Sequence, residues 1–127
     1  MTPRWREWLV LAVALALVYG GMYWWRSSTE DRWAQEITSA AHPGDIVMYS
    51  TQSCVFCAKA RAWFEAYRIP YVECDVERDT SCKSRYLALG AAGTPTFEVH
   101  GARLLGFSPE DLAQALKRPA AASGAQP

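Results

Sequence analysis

The feature that most constrains the fold of this 127-residue chain is an uncharged, apolar segment at residues 8–25 (WLVLAVALALVYGGMYWW). At about 1.5 Å of rise per residue, a helix of this length spans roughly 27 Å, which matches the hydrocarbon core of a bilayer. Tryptophan and tyrosine side chains lie near its two ends, where interfacial anchors are expected. Residues 1–26 are therefore predicted to form an N-terminal membrane anchor with one transmembrane helix.

A cleaved signal peptide is the alternative interpretation of this segment, with Arg4 and Arg6 as its basic region and Ala14-Leu15-Ala16 as its cleavage site. Cleavage there would leave an exposed apolar N-terminus on a soluble product, so the anchor is favoured. Arg26 and Arg32 follow the segment, and the positive-inside rule is close to tied. The short basic N-terminal tail favours an inside N-terminus. We expect a single-pass protein of the bacterial inner membrane with an extracytoplasmic domain.

A polar connector, residues 27–43, follows the anchor. Trp33 and Ile37 lie four residues apart, as apolar residues do on one face of a helix. Ser28 or Thr29 would cap the start of this helix, because their side-chain oxygens can accept from free backbone N–H groups. The connector is therefore predicted to be a helical or polar linker.

The rest of the chain divides into one small domain at residues 44–118 and a low-complexity tail at residues 119–127 (PAAASGAQP), which we expect to be disordered. The chain has 13 Lys and Arg residues against 13 Asp and Glu residues, for a formal net charge of zero. Nucleic-acid binding needs a concentrated basic surface, so that class of function is excluded. A domain of this size buries a small core, and its stability should be modest.

Hydrophobic periodicity within the domain indicates an α/β fold. Apolar runs predict strands at residues 46–49, 71–74, 96–99 and 103–105, and helical patterns predict helices at residues 56–67, at residues 81–89 and after Ser108. The first strand, helix and strand imply a parallel crossover, and His100-Gly101-Ala102 suits an antiparallel hairpin. The order β-α-β-α-β-β-α predicts a four-stranded mixed sheet flanked by helices.

Cys54 and Cys57 form a C-x-x-C pair at the start of the first helix of the domain. Free N–H groups and the positive end of the helix dipole stabilise a thiolate there, so Cys54 is the predicted nucleophile. Cys57 lies on the same side of the first turn, where it can attack a mixed disulfide. The alternative is half of a zinc knuckle, but the spacing of Cys74 and Cys82 does not suit the second half. No metal is predicted.

Three motifs within residues 46–116 resemble the glutaredoxin branch of the thioredoxin superfamily: YSTQSCVFC, GTPTF and GFSPEDL. The resemblance implies a thioredoxin/glutaredoxin-like fold and a thiol-disulfide oxidoreductase without a bound cofactor. It also implies a cis peptide bond at Thr94-Pro95, where the backbone of Thr94 pairs with the substrate. Gly106 resembles a position at which the backbone approaches the ligand.

Two positions depart from the family pattern. Many glutaredoxins that use glutathione have a lysine in the loop before the active site, whereas this chain has Thr51 and Gln52. Thr51 is therefore a predicted substrate-binding position with no charge for a glutathione carboxylate. Protein dithiols or disulfides are the expected partners, and glutathione is a candidate co-substrate. Val55-Phe56 lacks the proline that is common between the two cysteines, so the resemblance implies no particular redox potential.

Cys74 and Cys82 form a candidate structural disulfide. Cys74 ends the second predicted strand and Cys82 begins the next helix, so their Cα atoms could approach the ~5.5 to 6 Å that a disulfide needs. Such a bond persists in an oxidising compartment, in agreement with an extracytoplasmic domain. The alternative is a small buried apolar residue at position 74 and an incidental helix-start residue at position 82.

These patterns together predict a membrane-anchored thiol-disulfide oxidoreductase, in which Cys54 attacks and Cys57 resolves. Two other classes of function remain open. One is a domain that holds a soft metal ion such as Cu(I) between the two cysteines. The other is a non-catalytic interaction module that presents the groove at Thr94-Pro95.

Overall fold

The computed structural model describes residues 4–119, so the predicted disordered tail lies outside the described residues apart from Pro119. Eight elements follow one another along the chain: α1 (Trp5–Ala40), β1 (Ile46–Ser50), α2 (Val55–Tyr67), β2 (Val72–Asp75), α3 (Thr80–Ala88), β3 (Thr96–Val99), β4 (Ala102–Leu105) and α4 (Pro109–Leu116). The chain divides into two compact units, Met1–Arg32 and Trp33–Pro127.

In the first unit, the side chains of residues 4–28 are all exposed. By length and composition alone, α1 can cross a membrane. A signal sequence near the N-terminus meets the same criterion. The helix is therefore compatible with the predicted anchor at residues 8–25.

The predicted helix start at Ser28 or Thr29 is wrong, because α1 continues through both residues. The hydroxyl of Ser28 donates to the carbonyl of Trp24 at 2.8 Å, and that of Thr29 donates to the carbonyl of Trp25 at 3.0 Å. Serine and threonine inside a helix satisfy their hydroxyls in this way. With no proline or glycine from residue 22 to residue 42, nothing in the sequence interrupts the helix there.

In the second unit, the last turns of α1 belong to the core. Ala34 and Ile37 are buried, and Ile37 lies in the largest hydrophobic cluster. Glu36 forms an ion pair with Lys117 at the end of α4. The core therefore includes residues that precede position 44, where the sequence analysis placed the start of the domain.

The sheet has the order β2-β1-β3-β4, with β1 parallel to β2 and antiparallel to β3, and with β4 antiparallel to β3. This confirms the predicted four-stranded mixed sheet with flanking helices. The hairpin turn is one residue shorter than predicted, since Ala102 pairs with Val99. His100 and Gly101 have positive φ angles of 49° and 81°, as a two-residue type I′ turn requires.

Each sheet face carries one hydrophobic cluster, because side chains alternate along β1. Ile46 and Met48 lie in the main cluster together with buried residues of α1, α2 and α4. Val47 and Tyr49 lie in the second cluster, which contains Cys74, Cys82, Val76, Tyr86 and Leu89. Tyr49 donates a hydrogen bond to Glu98 at 2.8 Å, and burial together with this bond raises the pKa of Tyr49 to about 12.

A disulfide joins Cys74 at the end of β2 to Cys82 in the first turn of α3, with Cα atoms 5.4 Å apart. Both residues are nearly buried, with exposed fractions of 6% and 7%. The bond therefore ties α3 to the sheet within the second cluster and closes the intervening turn.

Replacing both Cys74 and Cys82 with alanine is expected to lower the free energy of unfolding by about 2 to 3 kcal/mol, because the closed loop restricts the unfolded chain. Urea titration of the full chain in detergent measures this difference. A reductant should destabilise the parent protein more than the variant. Equal unfolding midpoints for the oxidised parent and the variant would contradict the assigned structural role.

Candidate active site

Cys54 is the residue that caps the N-terminus of α2. Its backbone is extended, with φ of −78° and ψ of 107°, and its sulfur accepts a hydrogen bond from the backbone N–H of Cys57 at 3.1 Å. The sulfur therefore lies at the positive end of the helix dipole, where free N–H groups stabilise a thiolate. The sequence leads to this geometry because β1 ends at Ser50 and the polar loop Thr51–Ser53 turns the chain into the helix.

Cys57 lies one turn further into α2 and forms a disulfide with Cys54, with Cα atoms 5.2 Å apart. The two residues differ in access to solvent: Cys54 is partly exposed, whereas Cys57 is fully buried at 0%. Of the two residues, Cys54 is therefore the one that a molecule in solution can contact. When the pair is reduced, this geometry favours attack by Cys54 first and by Cys57 second.

Thr94 and Pro95, which were predicted to bind substrate, lie in a groove beside the start of α2. The peptide bond between them is cis, as the resemblance implied. The carbonyl of Pro95 accepts a hydrogen bond from the N–H of Gly106 at 2.8 Å. The hydroxyls of Thr51 and Thr94 are 3.5 Å apart. The structure thus brings Thr51, Thr94, Pro95 and Gly106 together.

Comparison with known proteins agrees with this geometry. Residues 46–101 match the model of the glutaredoxin family, so the match begins at β1 and contains the C-x-x-C turn and the cis Thr94-Pro95 bond. The chain carries a glutaredoxin-like domain of the thioredoxin superfamily. The apolar segment at residues 8–25 and the last turns of α1 lie outside the matched residues.

Solved structures support the same fold for the glutaredoxin-like domain. The thioredoxin-like protein BC3987 is 28% identical, with a TM-score of 0.50 over 55% of this chain and 97% of that one. A threonine-to-alanine mutant of the same protein is also 28% identical, with a TM-score of 0.53 over 57% of this chain and 95% of that one. No curated protein sequence matches this chain significantly.

Two apolar residues of the groove were missed by the sequence analysis. Phe56 and Leu105 line it with exposed fractions of 67% and 70%, and the groove encloses about 370 Å³. Lys59 also lines it. Phe56 lies within the C-x-x-C motif, and Leu105 directly precedes Gly106. Both residues could have been identified because each is next to a predicted site residue.

An aromatic core adjoins the groove through Phe107. Phe64 and Phe97 are fully buried, and Phe107 packs its ring against both of theirs, with centroids 5.8 and 6.2 Å apart. Trp63 and Tyr67 are partly buried and pack on the main cluster. These aromatic residues therefore support the glutaredoxin-like site.

The second cysteine pair is separate from the glutaredoxin-like site, since Cys74 and Cys82 belong to the second cluster. Within residues 4–119, no group of three or more His, Cys, Asp or Glu side chains lies close enough to hold a metal ion. Cys54 and Cys57 together offer two thiolates when reduced, fewer than the four ligands of a structural zinc site.

Proposed function

We propose that this protein is a membrane-anchored thiol-disulfide oxidoreductase, in which Cys54 attacks and Cys57 resolves. The observation that carries the proposal is the contrast between the two sulfurs. Cys54 caps α2, and its sulfur accepts a hydrogen bond from the backbone N–H of Cys57. Cys54 is partly exposed, whereas Cys57 is fully buried. The glutaredoxin family match supports the same reaction class.

The reaction transfers two electrons to a substrate disulfide. The thiolate of Cys54 attacks one substrate sulfur, the substrate disulfide breaks, and the leaving sulfur takes up a proton. Cys57 then loses its proton and attacks Cys54, which breaks the mixed disulfide and releases the second substrate thiol. The Cys54–Cys57 disulfide remains, and a second dithiol must reduce it. The reverse sequence oxidises a substrate dithiol.

Proteins are the proposed substrates, since the groove offers a surface for an extended chain along the first turn of α2, the helix that Cys54 caps. The groove is lined by Thr94, Pro95 and Gly106. It also has two exposed apolar side chains, Phe56 and Leu105, that can contact a substrate. Glutathione is a candidate co-substrate, but neither Thr51 nor Gln52 provides a cation for its carboxylate. We therefore expect weaker activity with glutathione mixed disulfides than with protein disulfides.

The experiment that tests the proposal is thiol-disulfide exchange by the full-length protein in detergent, with a protein disulfide as substrate and a small dithiol as reductant. Turnover that needs both Cys54 and Cys57 is expected. Metal analysis of protein purified under reducing conditions tests the alternative, in which the two cysteines hold a soft metal ion. Bound copper together with an absence of turnover would overturn the proposal.

Replacing Thr51 with lysine is expected to raise kcat/KM for a glutathione mixed disulfide about threefold to fivefold, because an exposed charge pair contributes up to about 1 kcal/mol. The measurement compares a glutathionylated peptide with an uncharged mixed disulfide of the same peptide. Thr51→Met, which lengthens the side chain without charge, is the matched control and should bring no such gain. Strong glutathione turnover by the parent protein would contradict the role given to position 51.

Membrane attachment and orientation form the second half of the proposal. The long apolar helix α1 supports a single span. The Cys74–Cys82 disulfide supports an extracytoplasmic domain, because such bonds persist in oxidising compartments. Peptide mapping of unreduced protein from its native membrane tests this orientation. Free thiols at both positions would remove the support for it.

A further inference from the structure

The loop that precedes Cys54 is fastened to β2 and to the turn that follows it. The hydroxyl of Ser50, itself buried, donates to the carboxylate of Glu73 at 2.6 Å, and the carbonyl of Ser50 accepts from the N–H of Val76 at 3.0 Å. Arg61 of α2 donates to the same carboxylate at 2.8 Å. The start of the loop is therefore fixed through both its backbone and its side chain.

Gln52 continues this attachment with two further hydrogen bonds. Its backbone N–H donates to the carboxylate of Glu77 at 3.2 Å, and its side-chain amide donates to Oδ2 of Asp75 at 3.1 Å. The other oxygen of Asp75 accepts from the N–H groups of Glu77 and Arg78 at 2.9 and 3.2 Å. The bond from Gln52 and then that from Glu77 lower the pKa of Asp75, so it is ionised at neutral pH.

The second disulfide closes the turn that carries these two carboxylates. Asp75 and Glu77 lie between Cys74 and Cys82, and both cysteines are nearly buried. Asp79 in the same turn caps α3 through the N–H groups of Ser81 and Cys82 at 2.8 and 3.2 Å. The turn is thus fixed by a covalent bond and by its own capping contacts, so it can act as a rigid support for the loop.

Cys54 lies at the other end of this loop, two residues after Gln52. Its backbone N–H donates to the carbonyl of Thr51 at 3.5 Å, and its sulfur receives the single N–H of Cys57 described above. A thiolate gains from a capping N–H and from the helix dipole within the first turn only. A loop that lets the sulfur leave this position would therefore raise the pKa of Cys54.

We propose that Gln52 is a positioning residue for Cys54, held by the carboxylates of Asp75 and Glu77 in a turn that the Cys74–Cys82 disulfide closes. The inference rests on the proposed function, since it assumes that Cys54 is the nucleophile. Under this proposal, the Cys74–Cys82 disulfide influences the reactivity of Cys54 although it does not contact the substrate.

The two carboxylates also act on Cys54 through their charge, and in the opposite direction. Negative charges near a thiol raise its pKa, so losing Asp75 removes both a support and a repulsion. Gln52→Ala removes the side-chain bond to Asp75 and keeps both carboxylates and the backbone N–H that bonds Glu77. Glu77→Gln removes a charge but keeps an oxygen that can accept the N–H of Gln52. The two variants therefore separate positioning from electrostatics.

The test measures the rate of Cys54 alkylation by iodoacetamide against pH in the full-length protein, with every variant made in a Cys57→Ser background. In that background Cys54 is a free thiol without any reductant, and the Cys74–Cys82 disulfide stays formed. Gln52→Ala is expected to slow alkylation at pH 7 about threefold by raising the midpoint of the pH profile, as the loss of one modest hydrogen bond would. In a protein that already carries Asp75→Ala, Gln52→Ala should change the alkylation rate less, because the hydrogen bond between the two side chains is already lost.

Gln114→Ala is the matched control, since Gln114 donates a comparable hydrogen bond to Glu110 on α4 at 3.3 Å, outside the loop. It should leave the pH profile unchanged. Replacing Cys74 and Cys82 together with alanine should raise the midpoint in the same direction as Gln52→Ala. If that variant does not fold, the result with Gln52→Ala decides alone.

The outcomes also separate this inference from the proposed function. A parent midpoint well below the ordinary thiol pKa of about 8.5, together with the same midpoint in Gln52→Ala, would overturn the positioning role and leave the nucleophile in place. A parent midpoint at the ordinary value would contradict the nucleophile itself, and the positioning role with it.

Discussion

Cys57→Ser is expected to accumulate a mixed disulfide between Cys54 and its substrate, because the residue that resolves the intermediate is gone. Cys54→Ser is expected to abolish turnover, since a serine hydroxyl is not ionised at neutral pH and the buried Cys57 cannot reach a substrate. Non-reducing electrophoresis detects the trapped species, and the exchange assay measures turnover. Ser53→Ala, which changes an exposed neighbour of Cys54, is the control and should leave turnover intact.

The same assignment predicts unequal reactivity in the reduced parent protein. Cys54 should react with iodoacetamide much faster than Cys57 near neutral pH, because it alone combines exposure with a position at the end of a helix. Mass spectrometry of tryptic peptides after brief alkylation measures both rates. Equal rates at Cys54 and Cys57 would contradict the roles given to them.

Ile37→Ala is expected to lower the free energy of unfolding by about 2 to 5 kcal/mol, which is the usual cost of removing a fully buried isoleucine. The residue is 0% exposed in the main cluster, although it lies outside the residues that match the glutaredoxin family model. Urea titration of the full chain in detergent measures the change. In a domain this small, such a loss is a large part of the total stability.

Leu87→Ala provides the comparison for Ile37→Ala, because Leu87 is a large apolar residue that is exposed on α3. Its effect should stay within about 0.5 kcal/mol, as for most surface substitutions. Similar effects of the two substitutions would contradict the assignment of Ile37 to the core. The last turns of α1 would then be a linker only.

Local sequence signals predicted most of the fold. The capping residue Ser108 followed by Pro109 marks the start of α4, and the hydroxyl of Ser108 accepts from the N–H of Asp111 at 3.3 Å. The C-x-x-C turn marks the start of α2. In each case the signal and the structure lie within a few residues of each other, so no knowledge of distant contacts was needed.

Features that depend on distant contacts could not be predicted in the same way. Ser28 and Thr29 are residue types that favour the start of a helix. In the structure α1 extends on both sides of them, and their hydroxyls donate to backbone carbonyls of the preceding turn. The sequence analysis noted Gln52 only because a lysine is common in that loop. Its contacts with Asp75 and Glu77 depend on the pairing of β1 with β2, which a local pattern does not reveal. Leu105 enters the groove because the hairpin places the end of β4 beside Pro95.

The two sheet faces also differ in how they would open. Among the described helices, α1, α2 and α4 contribute residues to the main cluster, whereas α3 alone contributes to the second cluster. Native-state openings begin where few apolar contacts hold an element. In hydrogen exchange, amides of α3 should therefore lose protection before those of β1 and β3, and sooner still once Cys74 and Cys82 are reduced. This face is the part of the domain that a protease would reach first, while the opposite layer stays closed.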